Sequence, residues 1–197
     1  MTSEAVVQAI ENMAQHRHRF EAFCRSLSEE ELARPVPAGH WTVKDYIIHL
    51  ASFDAEINRW IDGVLAGRPD TPSLNPGGTP FDVDAWNEEQ VSKRRQWRLD
   101  EILAEARQLR ASLEAQLRLL EDSHIDAVFH FPGDNKRDPA DLPYRLFLNG
   151  LARHDPIHVA DMIKALPERA QDPELKAWLD DTVVRWYQAT MAGPPKR

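Results

Sequence analysis

Cysteine is almost missing from this chain: Cys24 is the single one among 197 residues. No disulfide can form within the chain, and a cysteine-based zinc site is excluded. Long apolar runs are missing too. None approaches the roughly 20 residues that span a bilayer, so no membrane partner is expected. The N-terminus, MTSEAVVQAIENMAQ, has no basic stretch followed by an apolar one and does not read as a secretory signal. With neither feature present, the expected location is cytoplasmic. An excess of basic charge is also missing. The 24 Lys and Arg are outnumbered by 32 Asp and Glu, for a formal net charge of −8. That balance is opposite to the footprint of a nucleic-acid binder. The basic runs Lys93-Arg94-Arg95 and Lys196-Arg197 read as solvated faces, and no nucleic-acid partner is expected. There is no internal repeat and no sustained alternation of strand type. The short run Ala127 to Phe131 is the best strand candidate.

What is present is helical periodicity. Apolar residues recur at helical spacing in five segments, at about 3–27, 42–66, 82–121, 142–165 and 173–189. The first carries Val6, Ile10, Met13, Phe20, Cys24 and Leu27. The second carries Val43, Ile47, Leu50, Ile57, Trp60 and Val64. The long part of the third carries Ile102, Ala106, Leu109, Leu113 and Leu117. Pro35, Pro37 and Gly39 separate the first two segments, and Thr42 is placed to cap the second. Gly67-Arg68-Pro69 ends it, and the Pro- and Gly-rich stretch 70–80 reads as an exposed loop or crossover. Asp141 is placed to cap the fourth, with Pro143 in its first turn. The expected fold class is all-α: one helical bundle domain over residues 1–190, followed by a disordered tail over 191–197.

Eight histidines occur, and His154 and His158 form the informative pair. Four residues apart on a helix puts both rings on one face, about 6 Å apart at Cβ. The stripe Phe147, Leu151, His154, His158, Met162 turns both toward the core. Buried imidazoles need partners. A shared metal ion would supply one, and so would neighbouring side chains or water; both readings stand open at this level. A third ligand must come from a facing helix. His49, beside the buried stripe of the second segment, is the best placed. Pro156 lies between the paired histidines, where it either bends the helix or breaks it. Asp45, Glu56 and Asp161 are candidates to orient the imidazoles. Arg145 and Arg153 are candidates to hold an anionic substrate. Cys24, on a buried stripe, reads as packing. Six Trp are generous for this length, and some of them are expected to line a pocket.

The run Trp41-Thr42-Val43-Lys44-Asp45-Tyr46-Ile47-Ile48-His49-Leu50 resembles the second-helix signature of DinB-like proteins. Arg153-His154-Asp155-Pro156-Ile157-His158 resembles their later His-x-x-x-His motif, and Phe81 to Asn87 the loop before their third helix. The resemblance spans at least residues 5–165. It implies an up-down-down-up four-helix bundle, here with an additional C-terminal helix. It also implies a divalent metal held by His49, His154 and His158, and frequent homodimers. Some relatives are metal-dependent transferases using a low-molecular-weight thiol, and one branch includes mycothiol-dependent maleylpyruvate isomerases. Those isomerases usually carry a second, C-terminal domain and often Glu where His154 stands, so this chain departs from them.

Three neutral imidazoles leave an ion charged and open at one position, the pattern of a catalytic site. Zinc, nickel or iron suits such ligands. The leading expectation is therefore thiol transfer to, or thiol-dependent isomerisation of, a small electrophilic substrate, with the thiol as cosubstrate in a detoxification or stress role. The alternative on the same site is hydrolysis by metal-activated hydroxide, with Glu56 the first general base to test. A third reading is a non-enzymatic stress-associated or ligand-binding bundle, which a fourth protein ligand such as His40 would favour.

Overall fold

Buried positions Val6, Ile10, Met13, Phe20 and Cys24 follow one another every three or four residues, and they shape α1 (Glu4–Arg25). In the computed structural model, which describes residues 2–37, 39–67, 82–131 and 133–190, this helix is followed by the single turn α2 (Glu29–Leu32). Helix α3 (Val43–Leu65) starts at Thr42, whose hydroxyl accepts from the Asp45 amide while the Asp45 carboxylate accepts from the Thr42 amide. It ends at Ala66, followed by Gly67 at φ 70°, a left-handed position where glycine carries no Cβ penalty. The expected loop over 70–80 and the tail over 191–197 lie outside the described residues.

The third segment divides into α4 (Val83–Ser92) and α5 (Leu99–Leu117). The basic trio forms the turn between them. Lys93 pairs with Glu89, Arg94 with Glu105, and Arg95 with Asp45 and Glu88. A short helix α6 (Asp122–Ile125) precedes an antiparallel pair, β1 (Val128–Phe131) and β2 (Ala140–Pro143). The strand candidate is therefore a strand. Asp141 does not cap a helix: it lies in β2, opposite His130, and α7 (Tyr144–Leu151) begins only after Pro143.

The fourth segment breaks, and the break precedes the histidines. Helix α7 ends at Leu151, and α8 (His154–Met162) starts afresh after two intervening residues. Pro156 thus falls in the first turn of α8, where a missing amide leaves no hydrogen bond unmade. The fifth segment also divides, into α9 (Pro173–Leu179) and α10 (Thr182–Thr190), with Asp181 accepting from the amides of Val183 and Val184 at the new start.

Two apolar clusters give the helix directions. One takes the C-terminal part of α1, the N-terminal parts of α3 and α5, and the C-terminal part of α8. The other takes the N-terminal part of α1, the C-terminal parts of α3 and α5, and all of the buried face of α7. The four long elements therefore run up, down, down, up.

Between the clusters lies a buried ionic layer with one member from each bundle element: Arg17 from α1, Asp54 from α3, Arg110 from α5 and Asp155 from α8. Arg110 donates to Asp54 at 2.6 and 3.2 Å, and Arg17 to Asp155 at 3.0 Å. Two positive and two negative groups cancel. Removing one leaves its partner charged and unpaired in the interior. Arg110→Ala is therefore expected to cost about 3–5 kcal/mol of unfolding free energy, read by urea denaturation. Asp54→Ala should cost a similar amount, and the double substitution should cost clearly less than the sum.

Candidate metal centre

Each histidine owes its place to a different local device. His49 sits on the buried face of α3, about two turns after the capped start. His154 is the first residue of α8, and His158 follows one turn later. Asp155, tied to Arg17, anchors the start of α8 against α1.

The geometry brings all three candidates together. One ring nitrogen from each lies within 4.8 Å of the other two. The ring centroids of His49 are 5.3 Å from His154 and 5.0 Å from His158, and those of His154 and His158 are 4.8 Å apart. Aromatic rings surround the group. Trp41 lies 5.4 Å and Phe53 5.5 Å from His49; Phe53 is 4.3 Å from His154; Tyr46 and Tyr187 lie 5.7 and 5.9 Å from His158. Trp41 meets the expectation that a tryptophan lines the site.

Burial holds the His49 and His154 rings well below the ordinary imidazole range, with the neighbouring His158 adding to the effect. Neither ring has a hydrogen-bond partner among the described residues. His158 has one: its Nδ1 lies 3.1 Å from Asp161 Oδ2. A carboxylate only accepts, so Nδ1 is the donor and Nε2 is the nitrogen left available to a metal. Although burial pushes the Asp161 carboxyl up, bonds from His158, Lys164 and Gln188 hold it down, at about 2.

The other candidates have different roles. Asp45 accepts from the Thr42 amide and from Arg95 at 2.9 Å, and Glu56 accepts from Trp60 at 2.7 Å and pairs with Arg59. Neither contacts a ring of the cluster. His40 is exposed and faces Glu88, outside the cluster. Arg153 is engaged by Asp181, and Arg145 by Asp126. Cys24 is fully buried, and burial pushes its thiol up, so it is a packing residue. Sequence reasoning missed Glu88, which accepts from the Trp41 indole at 2.8 Å and thereby supports the wall behind His49.

Comparison with known proteins gives the family and the fold. The family model of the DinB superfamily matches residues 12–162, and the chain belongs to that superfamily. It is 30% identical over 106 residues to the "Putative metal-dependent hydrolase YfiT" of Bacillus subtilis (strain 168), a match covering 54% of this chain and 55% of YfiT. It is 31% identical over 75 residues to a Bacillus pumilus (strain SAFR-032) protein of the same description, covering 38% of this chain and 42% of the relative. The matches thus span about half the length of these relatives. Among solved structures, YfiT, described as having "an unusual four-helix bundle topology", superposes with a TM-score of 0.61 at 19% identity, over 87% of this chain and 89% of YfiT. A mycothiol-dependent maleylpyruvate isomerase superposes with a TM-score of 0.61 at 14% identity, over 88% of this chain and 67% of the isomerase. These likenesses are of fold. Among the described residues, no helix is long and apolar enough to cross a membrane.

The support behind Trp41 is open to a pH test. Hydrogen bonds from Arg95, then Trp41 and His40, hold the Glu88 carboxyl at about 2, against an ordinary 4.5. Its stabilising contribution is complete above pH 4.5 and is lost as pH falls from there toward 2. Urea denaturation of wild type at pH 6 and pH 3 should show a larger loss of stability than the same pair for Glu88→Gln. Equal losses would mean that Glu88 is not held in the ionised form.

Proposed function

We propose that this chain is a metal-dependent enzyme acting on a small molecule, with His49, His154 and His158 holding a divalent ion of zinc, nickel or iron, and with hydrolysis as its reaction. One observation carries the reading: three imidazoles from two helices converge, and two of them lack any protein partner among the described residues. The donor set fits such an ion. Nitrogens on a tetrahedral zinc stand about 3.4 Å apart, given metal–nitrogen distances of about 2.0–2.1 Å. A cluster within 4.8 Å reaches that by small rotations of the rings. Burial keeps the His49 and His154 rings neutral, as ligands must be.

When bound, the ion supplies Lewis acidity that lowers the pKa of a water or thiol at the open position. The chain's own residues do the rest. Asp161 fixes the tautomer of His158 and its orientation. Trp41 packs against His49 and Phe53 against His154, covering part of each imidazole. The relatives described as metal-dependent hydrolases support water as the nucleophile. A second reading, a low-molecular-weight thiol transferred to an electrophile, uses the same open position and draws on the description of the isomerase. A cytoplasmic location and a homodimeric state remain part of this proposal.

Elemental analysis of the purified protein should find about one equivalent of transition metal. His49→Ala, His154→Ala and His158→Ala should each lose most of it while retaining helical circular dichroism. Unchanged occupancy in all three sinks the ligand assignment. The metal-loaded protein, assayed on ester and amide panels with and without added thiols, then separates the two reactions: turnover without thiol supports hydrolysis, and a strict thiol requirement overturns it.

A further inference from the structure

Two tyrosines with no task so far flank His158. Tyr46 comes from α3 and Tyr187 from α10. Their rings lie 5.7 and 5.9 Å from the imidazole, tilted and edge-on to it. Neither hydroxyl has a hydrogen-bond partner among the described residues, and neither oxygen is among the polar atoms sealed from solvent. A half-buried phenol normally finds a partner. Here both rings lie against the same imidazole. A phenol, with an ordinary pKa of about 10, keeps its proton at neutral pH and is a donor.

Helix α10 is held for this purpose. Gln188, the neighbour of Tyr187, donates to Asp161 Oδ1 at 3.0 Å and to the Ile157 carbonyl at 3.2 Å. Arg153, just before His154, pairs with Asp181 at the start of α10. The same helix thus secures Asp161, which orients His158, and presents Tyr187 beside that ring. It lies beyond the residues that the superfamily model matches.

We propose that Tyr46 and Tyr187 form a two-phenol clamp that donates hydrogen bonds to an oxygen of the ligand at the open face of the three-histidine centre, so that the site takes carbonyl- or carboxylate-bearing molecules. The clamp rests on the metal reading above, and the test separates the two. The protein is loaded with cobalt(II), and acetate is titrated while the visible absorption of the cobalt is followed. Tyr46→Phe and Tyr187→Phe should bind cobalt at the wild-type stoichiometry, yet each should bind acetate about tenfold more weakly, as expected for one lost hydrogen bond to a charged acceptor. The double substitution should weaken it further. Cobalt taken up by all variants with unchanged acetate affinity overturns the clamp and leaves the metal reading intact, as does a loaded wild type that binds no acetate. Loss of cobalt from either tyrosine variant overturns it too, because the residue then supports the ligands and not the substrate. A wild type that takes up no cobalt ends the metal reading and the clamp together.

Discussion

The fold and the site both depend on the four-charge layer in the middle of the bundle. Arg17, Asp54, Arg110 and Asp155 are nearly sealed from solvent, and each comes from a different bundle element. Ions in such a place are weak contributors to net stability, because desolvation offsets most of their attraction. Their effect is on choice. Apolar faces alone tolerate a helix sliding by a turn or exchanging neighbours, whereas a slide here would strand a charge among aliphatic side chains. The layer therefore selects one register for α1, α3, α5 and α8. It also reaches the site through the chain itself, since Asp155 follows His154. The ion pair that seats α8 against α1 also sets where the first imidazole stands.

The bundle was legible because its signal is redundant. In α1 and α3, boundaries read from periodicity and caps fall within two residues of those observed, since many apolar positions and an explicit capping box agree. The directions followed from the resemblance, and the two core clusters independently require them. What escaped was local. The apolar stripe of α1 passes from Met13 to Phe20 with Arg17 between, and that of α3 from Leu50 to Ile57 with Asp54 between. Each stripe skips one turn at a charged residue, and such a gap reads as an interruption unless the partner is known. In α5 the stripe holds at Ile102, Ala106, Leu113 and Leu117 but not at its middle: Leu109 is only half-buried, while Arg110 faces the core. Opposite charges filling matched gaps are the signal that would have exposed the layer.

The site was legible in its ligand candidates and illegible in its frame. A spacing of four on a helix is a property of local geometry, so His154 and His158 were certain to share a face once they shared a helix. Pro156 left open whether they did. The break falls before His154 because Pro156 prevents the Ala152 carbonyl from being used by a continuous helix, and a new start places the proline where its missing amide is harmless. The proline thus keeps the pair intact. Glu88, Tyr187 and Gln188 lie far from His49 in sequence, and no periodicity links them to it. Asp161 was one of three equivalent carboxylate candidates, and only the fold distinguishes it.

These features converge on the protonation state of the cluster. Burial, with the neighbouring imidazoles adding to it, keeps His49 and His154 as lone-pair donors at neutral pH. Asp161 then removes the remaining freedom of His158 by accepting its Nδ1 proton. The carboxylate is in turn fixed by Lys164 from its own segment and Gln188 from α10. Three converging imidazole nitrogens in an aromatic-lined region favour a cation, and two phenols beside His158 favour an oxygen acceptor. A ligand bridging both would carry its negative or polarised oxygen between the cation and the tyrosines. The contribution of α10 is then chemical as well as structural: without it His158 loses the outer support of its carboxylate, and the open face keeps only one of its two donors.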